Sequence, residues 1–209
     1  MNLKLKICGM KHNTAQVAEL QPDYLGFIFY EKSPRNYVND SIINTVNTKR
    51  VGVFVDASLD VILQKVDQYQ LDVIQLHGEE PPQFCRQLKD RLPFRSSVGI
   101  WKVFSIKDTF NFDILTSYES IVDKFLFDTK GKEKGGNGYT FDWTVLKDYP
   151  SKKPFVLSGG IGLEELDKVK ALVQTKLPIY AIDVNSRFEL EPGLKDISAL
   201  KELNHELQR

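Results

Sequence analysis

Two side chains that can exchange protons stand at the ends of short apolar runs, where a strand would hold them rigidly. Cys8 ends the run 3–8, and Asp128 ends the run 125–128. A carboxyl group beside apolar neighbours has a raised pKa and suits general-acid catalysis, whereas a thiol acts as a base once a cation or backbone donors lower its pKa. The alternatives are a helix cap or an ion-pair partner for Asp128 and a buried core thiol for Cys8. The sequence offers Cys8 no obvious cationic partner, but the two residues together predict a site with one acid and one base.

Two segments near the C-terminal end of the chain carry chemistry that binds anions. Gly159 and Gly160 follow an apolar run and precede a helical pattern, and Asn185 and Ser186 follow the next apolar run. Paired glycines let backbone N–H groups approach an anion, and the start of a helix adds a favourable dipole. These segments predict a phosphate site, although the glycines could serve only a tight turn between strand and helix.

Three further polar side chains follow predicted strands and are candidates for substrate binding. Arg35 could hold a carboxylate by a two-pronged contact or be a solvated basic residue, while His77 and Asp183 lie at the ends of the fourth and eighth runs. The other histidines, His12 and His205, lie in unrelated segments, so no zinc-type spacing is present. We therefore expect no metal site.

The charged, glycine-rich segment 130–138 directly follows Asp128. A mobile lid that excludes water from a site has this composition, and so does an ordinary flexible surface loop. Composition alone does not separate the two.

Eight apolar runs alternate with eight helical patterns along the chain. The predicted strands are 3–8, 24–29, 50–55, 73–76, 100–103, 125–128, 155–158 and 179–184. The predicted helices are 14–20, 41–47, 59–69, 82–89, 107–118, 142–148, 163–173 and 195–207. Several runs lack polar alternation, which is typical of buried parallel strands. The alternation predicts an α/β fold, a single (β/α)8 TIM barrel over residues 1–209, with a doubly wound open sheet as the alternative. Barrel enzymes build their sites at the C-terminal ends of the strands, so we expect the candidate residues on one face.

The overall charge and the cysteine content limit the classes of partner. In 209 residues, 28 basic and 28 acidic side chains cancel, so no bulk field favours nucleic acid or an anionic membrane. The two cysteines fit a reducing cytoplasm, and no apolar run approaches the length of a membrane-spanning helix. We expect a cytoplasmic protein, a monomer or a homodimer, whose partner is a small molecule.

Motifs along nearly the whole chain, in order, resemble those of one enzyme family, phosphoribosylanthranilate isomerase of tryptophan biosynthesis. The motifs are Lys6-Ile7-Cys8-Gly9, Lys32-Ser33-Pro34-Arg35, Gln75-Leu76-His77-Gly78, Phe127-Asp128-Thr129, Leu157-Ser158-Gly159-Gly160 and Asp183-Val184-Asn185-Ser186. Each motif alone is weak evidence, and the specificity comes from their order.

The resemblance implies a cofactor-free barrel that converts N-(5′-phosphoribosyl)anthranilate into 1-(2-carboxyphenylamino)-1-deoxyribulose 5-phosphate by an Amadori rearrangement. By resemblance, Asp128 protonates the ribose ring oxygen and Cys8 removes the proton from the sugar C2. Arg35 faces the anthranilate carboxylate, and His77 and Asp183 complete the substrate-binding set. The residues expected at the phosphate are Gly159, Gly160, Asn185 and Ser186.

Three positions depart from the family pattern. Asn36 stands between Arg35 and Tyr37, where the family commonly has Tyr directly after Arg. Asn185 and Arg187 replace a Ser and a Gly of the family motif after the eighth strand. We expect Arg187 either to contact the phosphate or to point into solvent.

Overall fold

The eight predicted strands form a closed parallel barrel in a computed structural model that describes residues 3–42, 47–92, 97–129 and 140–208. The strands are β1 (Lys4–Cys8), β2 (Tyr24–Phe29), β3 (Lys49–Phe54), β4 (Val73–Leu76), β5 (Gly99–Ile106), β6 (Lys124–Thr129), β7 (Phe155–Leu157) and β8 (Ile179–Val184). Neighbours in sequence pair in parallel, and β1 also pairs with β8. This closure confirms the TIM barrel and makes the open-sheet alternative wrong.

Both faces of the strands are buried, which explains why their sequences are nearly continuous apolar runs. Outward-facing side chains pack under the helices in the larger core cluster, and a smaller cluster that includes Val53, Val103 and Leu126 fills the barrel interior. Side chains two residues apart on a strand share a face. Lys6 and Cys8 of β1 therefore both point into the barrel, where Lys6 is paired in register with Asp183 of β8.

Five α-helices cover the barrel within the described residues. They are α1 (Thr14–Ala18), α2 (Leu59–Tyr69), α3 (Pro82–Arg91), α4 (Leu166–Val173) and α5 (Ile197–Gln208). The predicted bounds of α2 are confirmed: Ser58 accepts a hydrogen bond from the Val61 amide at its start, and Ile62 and Val66 are buried on one face. None of the helices described is both long enough and apolar enough to cross a membrane.

Two predicted α-helices, 107–118 and 142–148, are wrong in type and are 3-10 helices at Phe112–Ser117 and Trp143–Asp148. Side-chain oxygens of Asn111 and Asp142 accept amide hydrogen bonds two residues ahead, which favours a tight start. Each segment is also only 6 residues long, so little cooperative α-helical stability opposes this geometry.

The other predicted segments are the helix 41–47, the glycine-rich segment 130–138 and the last helix. Most of the predicted helix 41–47 lies outside the described residues, as does the segment 130–138. The last helix begins at Ile197 instead of residue 195, because β10 (Leu194–Lys195) pairs antiparallel with β9 (Glu189–Glu191) in a hairpin that the sequence did not predict.

Candidate functional site

One cavity of about 410 Å³ opens at the C-terminal ends of the strands and is lined by every predicted site residue. Those residues are Cys8, Arg35, His77, Asp128, Gly159, Gly160, Asp183, Asn185 and Ser186. Parallel strands end on the same rim of a barrel, so residues that are distant in sequence meet there. The structure thus places all nine candidates together, and it gives several of them partners that the sequence did not reveal.

Cys8 lies beside a buried ion pair between Lys6 and Asp183. The Lys6 Nζ atom donates to Asp183 Oδ1 at 2.8 Å, and the Lys6 side chain is 0% exposed. Burial raises the pKa of the Cys8 thiol, and Asp183 adds to this, whereas Lys6 and Lys195 act in the opposite direction. Burial also raises the pKa of Asp183, although Lys6 opposes it. Lys6 and Lys195 are thus the cationic neighbours of Cys8 that the sequence did not make obvious.

Asp128 lies beside His77, whose ring is in turn hydrogen-bonded to Gln75. His77 Nε2 lies 3.3 Å from Asp128 Oδ2, and Gln75 Nε2 lies 3.2 Å from His77 Nδ1. If the Gln75 amide donates, Nδ1 accepts and the ring proton of a neutral His77 lies on Nε2. Asp128 thus lies in the cavity wall as a residue of β6 with His77 at ion-pair distance, and not as a helix cap.

Arg35 is held by Glu189, which belongs to the unpredicted hairpin. Arg35 Nε donates to Glu189 Oε2 at 2.9 Å and Nη2 donates to the same oxygen at 2.7 Å, while Lys195 Nζ lies 2.8 Å from Glu189 Oε1. Burial opposes ionisation of Glu189, but the two cations outweigh it and lower the pKa of this carboxyl group. The interpretation of Arg35 as a solvated residue is therefore wrong, since its guanidinium is fixed at the cavity wall.

Gly159 and Gly160 form the loop after β7 with positive φ angles of 89° and 69°. A Cβ atom at Gly159 would overlap the Thr129 side chain and backbone, so this position needs glycine for both conformation and space. The helical segment that follows begins as a 3-10 turn at Leu163–Glu165 before α4 starts. The loop therefore presents its backbone to the cavity. The predicted helix 163–173 begins with a turn of 3-10 helix and not with an α-helical turn.

The loop after β8 completes this end of the cavity. Asn185 Oδ1 accepts a hydrogen bond from Lys195 Nζ at 2.8 Å, and Ser186 begins a 3-10 turn. Arg187 also lines the cavity, and its Nη2 atom lies 2.5 Å from Glu164 Oε2 at the rim. Arg187 therefore does not simply point into solvent. The exposed carboxylate of Glu164 holds its side chain at the opening of the cavity.

The functional side chains that the sequence analysis missed are Lys6, Gln75, Glu189 and Lys195. For two of them a signal existed: Lys6 precedes Cys8 by two residues and Gln75 precedes His77 by two, so strand periodicity puts each pair on one face. Glu189 and Lys195 carry no such signal, because the hairpin brings them together. Within the described residues, no three His, Cys, Asp or Glu side chains are grouped as metal ligands.

Comparisons with known proteins agree with this geometry. The family model described as N-(5'phosphoribosyl)anthranilate (PRA) isomerase matches residues 5–206. A protein of Parabacteroides distasonis named N-(5'-phosphoribosyl)anthranilate isomerase is 40% identical over 208 residues, covering 94% of this chain and 90% of its own length. The crystal structure of phosphoribosyl anthranilate isomerase from Thermus thermophilus has a TM-score of 0.82 at 27% identity and covers 99% of this chain and 98% of its own. A further isomerase structure, in complex with reduced 1-(o-carboxyphenylamino)-1-deoxyribulose 5-phosphate, has a TM-score of 0.79 at 28% identity, with coverage of 99% and 98%.

Proposed function

The chain belongs to the N-(5′-phosphoribosyl)anthranilate isomerase family, and we propose that Cys8 and Asp128 carry its reaction as base and acid. The protein is an isomerase of tryptophan biosynthesis, which rearranges N-(5′-phosphoribosyl)anthranilate to 1-(2-carboxyphenylamino)-1-deoxyribulose 5-phosphate. The observation that carries the assignment of roles is the pair itself. A thiol from β1 and a carboxyl group from β6 face one cavity, whose wall also includes the Arg35 side chain and the loop of Gly159 and Gly160.

The proton transfers balance between these two groups. Asp128 gives a proton to the ribose ring oxygen as its bond to C1 breaks, and the amine lone pair forms the Schiff base. Cys8, as the thiolate, removes the proton from C2, and the electron pair moves to give an enolamine. The enolamine then tautomerises to the ketone: C1 takes a proton from the Cys8 thiol and the C2 hydroxyl gives its proton to Asp128, so both groups return to their starting states. The substrate is both oxidised at C2 and reduced at C1, so the rearrangement needs no external oxidant or reductant.

The other cavity residues hold the two anionic ends of the substrate. Glu189 binds the Nε and Nη2 side of Arg35, and we assign the remaining Nη1 edge to the anthranilate carboxylate. The phosphate takes the amides around Gly159 and Gly160, together with Asn185 and Ser186. Two fixed ends leave the sugar carbons between the acid and the base, which supplies the orientation that a unimolecular rearrangement requires.

The test is turnover of N-(5′-phosphoribosyl)anthranilate, followed by loss of the anthranilate fluorescence. Cys8→Ser and Asp128→Asn each remove one proton-transfer group, and we expect each to lower turnover by at least about two orders of magnitude. Cys85→Ala is the matched control, because Cys85 is the other buried thiol and lies on α3 outside the cavity.

Near-normal turnover in Cys8→Ser or Asp128→Asn would contradict the assigned roles. Complementation provides a second criterion, since the gene should rescue a tryptophan auxotroph. Rescue of a histidine auxotroph alone would instead indicate the related isomerase that acts on another aminoaldose.

A further inference from the structure

The proposed function requires a thiolate at Cys8, yet the surroundings of this thiol are buried. A thiol is a useful base only in its ionised form, and burial disfavours that form. Cys8 is 5% exposed and belongs to the interior cluster of the barrel. A group must therefore compensate the charge that forms there.

Lys6 occupies the position from which a cation can do this. It precedes Cys8 by two residues on β1, points into the barrel and is fully buried. A Cβ atom built on Gly26 would lie 2.8 Å from Cys8 Sγ and 3.1 Å from Lys6 Nζ, which puts the thiol and the ammonium group within about 6 Å of each other. Opposite charges at this separation favour ionisation.

We propose that Lys6 is the positioning residue that stabilises the Cys8 thiolate, and that Gly26 keeps the space between them open. Gly26 is paired in register with Cys8 on the neighbouring strand, and its φ is not positive. Glycine is thus needed here for space, and any side chain at position 26 would be inserted between the two groups.

The other charged groups around Cys8 leave this role to Lys6. Asp183 from β8 neutralises Lys6 in the resting site, and the charge of Lys195 from β10 also acts to lower the pKa of the thiol. Arg35 and Lys195 share the single carboxylate of Glu189, so this second cluster carries one net positive charge. Across the cavity lie His77 and Asp128.

The thiolate can form without leaving an excess charge among these groups. The Lys6–Asp183 pair is neutral, and the negative charge of the thiolate is matched by the positive charge of the Arg35–Glu189–Lys195 cluster. Lys6 is the cation beside the sulfur, whereas the Arg35–Glu189–Lys195 cluster supplies the net positive charge that offsets the thiolate. This arrangement predicts that the ionisation of Cys8 responds to Lys6 more strongly than to any distant lysine.

The experiment titrates the thiolate directly, without substrate. In a Cys85→Ala background, the ultraviolet absorbance of the thiolate is followed against pH as a difference from Cys8→Ser. We expect Lys6→Met to raise the pKa of Cys8, so that the thiolate fraction at neutral pH falls about tenfold or more. Gly26→Ala should shift the titration in the same direction while it keeps both groups.

Lys102→Met is the matched control. Lys102 is also a buried lysine paired with a carboxylate, Glu80 at 3.0 Å, but it lies on the outer face of β5. Its loss should leave the Cys8 titration unchanged. In turnover assays, the acid limb of the pH profile should move to higher pH in Lys6→Met and Gly26→Ala only.

An unchanged Cys8 titration in Lys6→Met would overturn the proposal, as would a shift of equal size in Lys102→Met. If Lys6→Met does not fold, Gly26→Ala decides, and a wild-type titration in that variant overturns it. Because the titration needs no substrate, a shifted pKa in a protein that fails to turn over phosphoribosylanthranilate would refute the proposed function and leave this inference standing.

Discussion

Buried charged residues that take no part in proton transfer orient a group that we assign to substrate binding. Glu189 is the centre of one such set, because it accepts hydrogen bonds from both Arg35 and Lys195 while only 3% of its side chain is exposed. A buried charge is stable only when it is paired and hydrogen-bonded. Glu189 therefore fixes the Nε and Nη2 edge of Arg35, which leaves one defined edge for a ligand.

Glu189→Gln tests this support at the scale of one residue. The amide can keep one hydrogen bond but loses the charge-assisted pair, and hydrogen bonds to charged groups contribute about 1.5–3 kcal/mol. We expect KM for phosphoribosylanthranilate to rise about tenfold or more, with a smaller change in kcat, in steady-state measurements. Glu164→Gln is the control, because Glu164 pairs with Arg187 while 76% of its side chain is exposed. A fall in kcat at unchanged KM would contradict the positioning role of Glu189.

Residue types and strand ends were enough to predict Cys8, Asp128 and the glycine loop. Lys6 was also within reach of the sequence, because the period of two that buries Cys8 buries Lys6 as well. Glu189 was not, because its contact with Arg35 spans 154 residues and depends on a hairpin without a sequence signal. Long-range pairing of this kind is set by tertiary packing, which a single sequence does not display.

At the scale of elements, the loop after β7 depends on its first glycine. Gly159 has φ of 89°, a region that costs other residues about 1–2 kcal/mol, and its Cβ position overlaps Thr129 at the end of β6. Gly159→Ala must therefore move the loop away from β6 or strain it. We expect lower stability in urea and at least about a tenfold weaker inhibition by inorganic phosphate, the scale of losing one or two hydrogen bonds to an anion.

Gly99→Ala is the control for this change. Gly99 begins β5 at the opposite end of the barrel, where the atom nearest to an added Cβ is 3.6 Å away. Its substitution should leave phosphate inhibition unaltered. Wild-type phosphate inhibition in Gly159→Ala would remove this loop from the proposed phosphate site.

The bounds of the elements were predictable where local sequence determines them and not where packing does. Most strands begin and end within a residue or so of prediction, because both of their faces are buried. β5 runs to Ile106, three residues further than predicted. Beside the two 3-10 helices, the ring of Phe127 packs against the rings of Phe112 and Tyr149, and such tertiary contacts are not visible in a single sequence.

For the whole molecule, the Lys6–Asp183 pair joins the first and last strands of the barrel inside its core. Such a pair is weak evidence for stability, since desolvation of two charges offsets their attraction. Burial raises the pKa of Asp183 even beside its cation, which shows that the carboxylate form is held at a cost. Because the folded pKa lies above the unfolded one, this group favours folding most at low pH and loses that contribution as pH rises through the two values.

A paired substitution separates the cost of these charges from their use in catalysis. Asp183→Val alone leaves Lys6 charged and unpaired, and we expect it to lower the free energy of unfolding by about 3–5 kcal/mol. Lys6→Met with Asp183→Val replaces the pair by apolar side chains that suit a buried strand, so the double variant should be at least as stable as wild type and lack turnover. Urea unfolding at neutral pH measures both, with Arg91→Met as the control at an exposed ion pair to Asp60, where little change is expected. A double variant as unstable as Asp183→Val would mean that the pair itself holds the closed barrel together, and that its retention is not explained by catalysis alone.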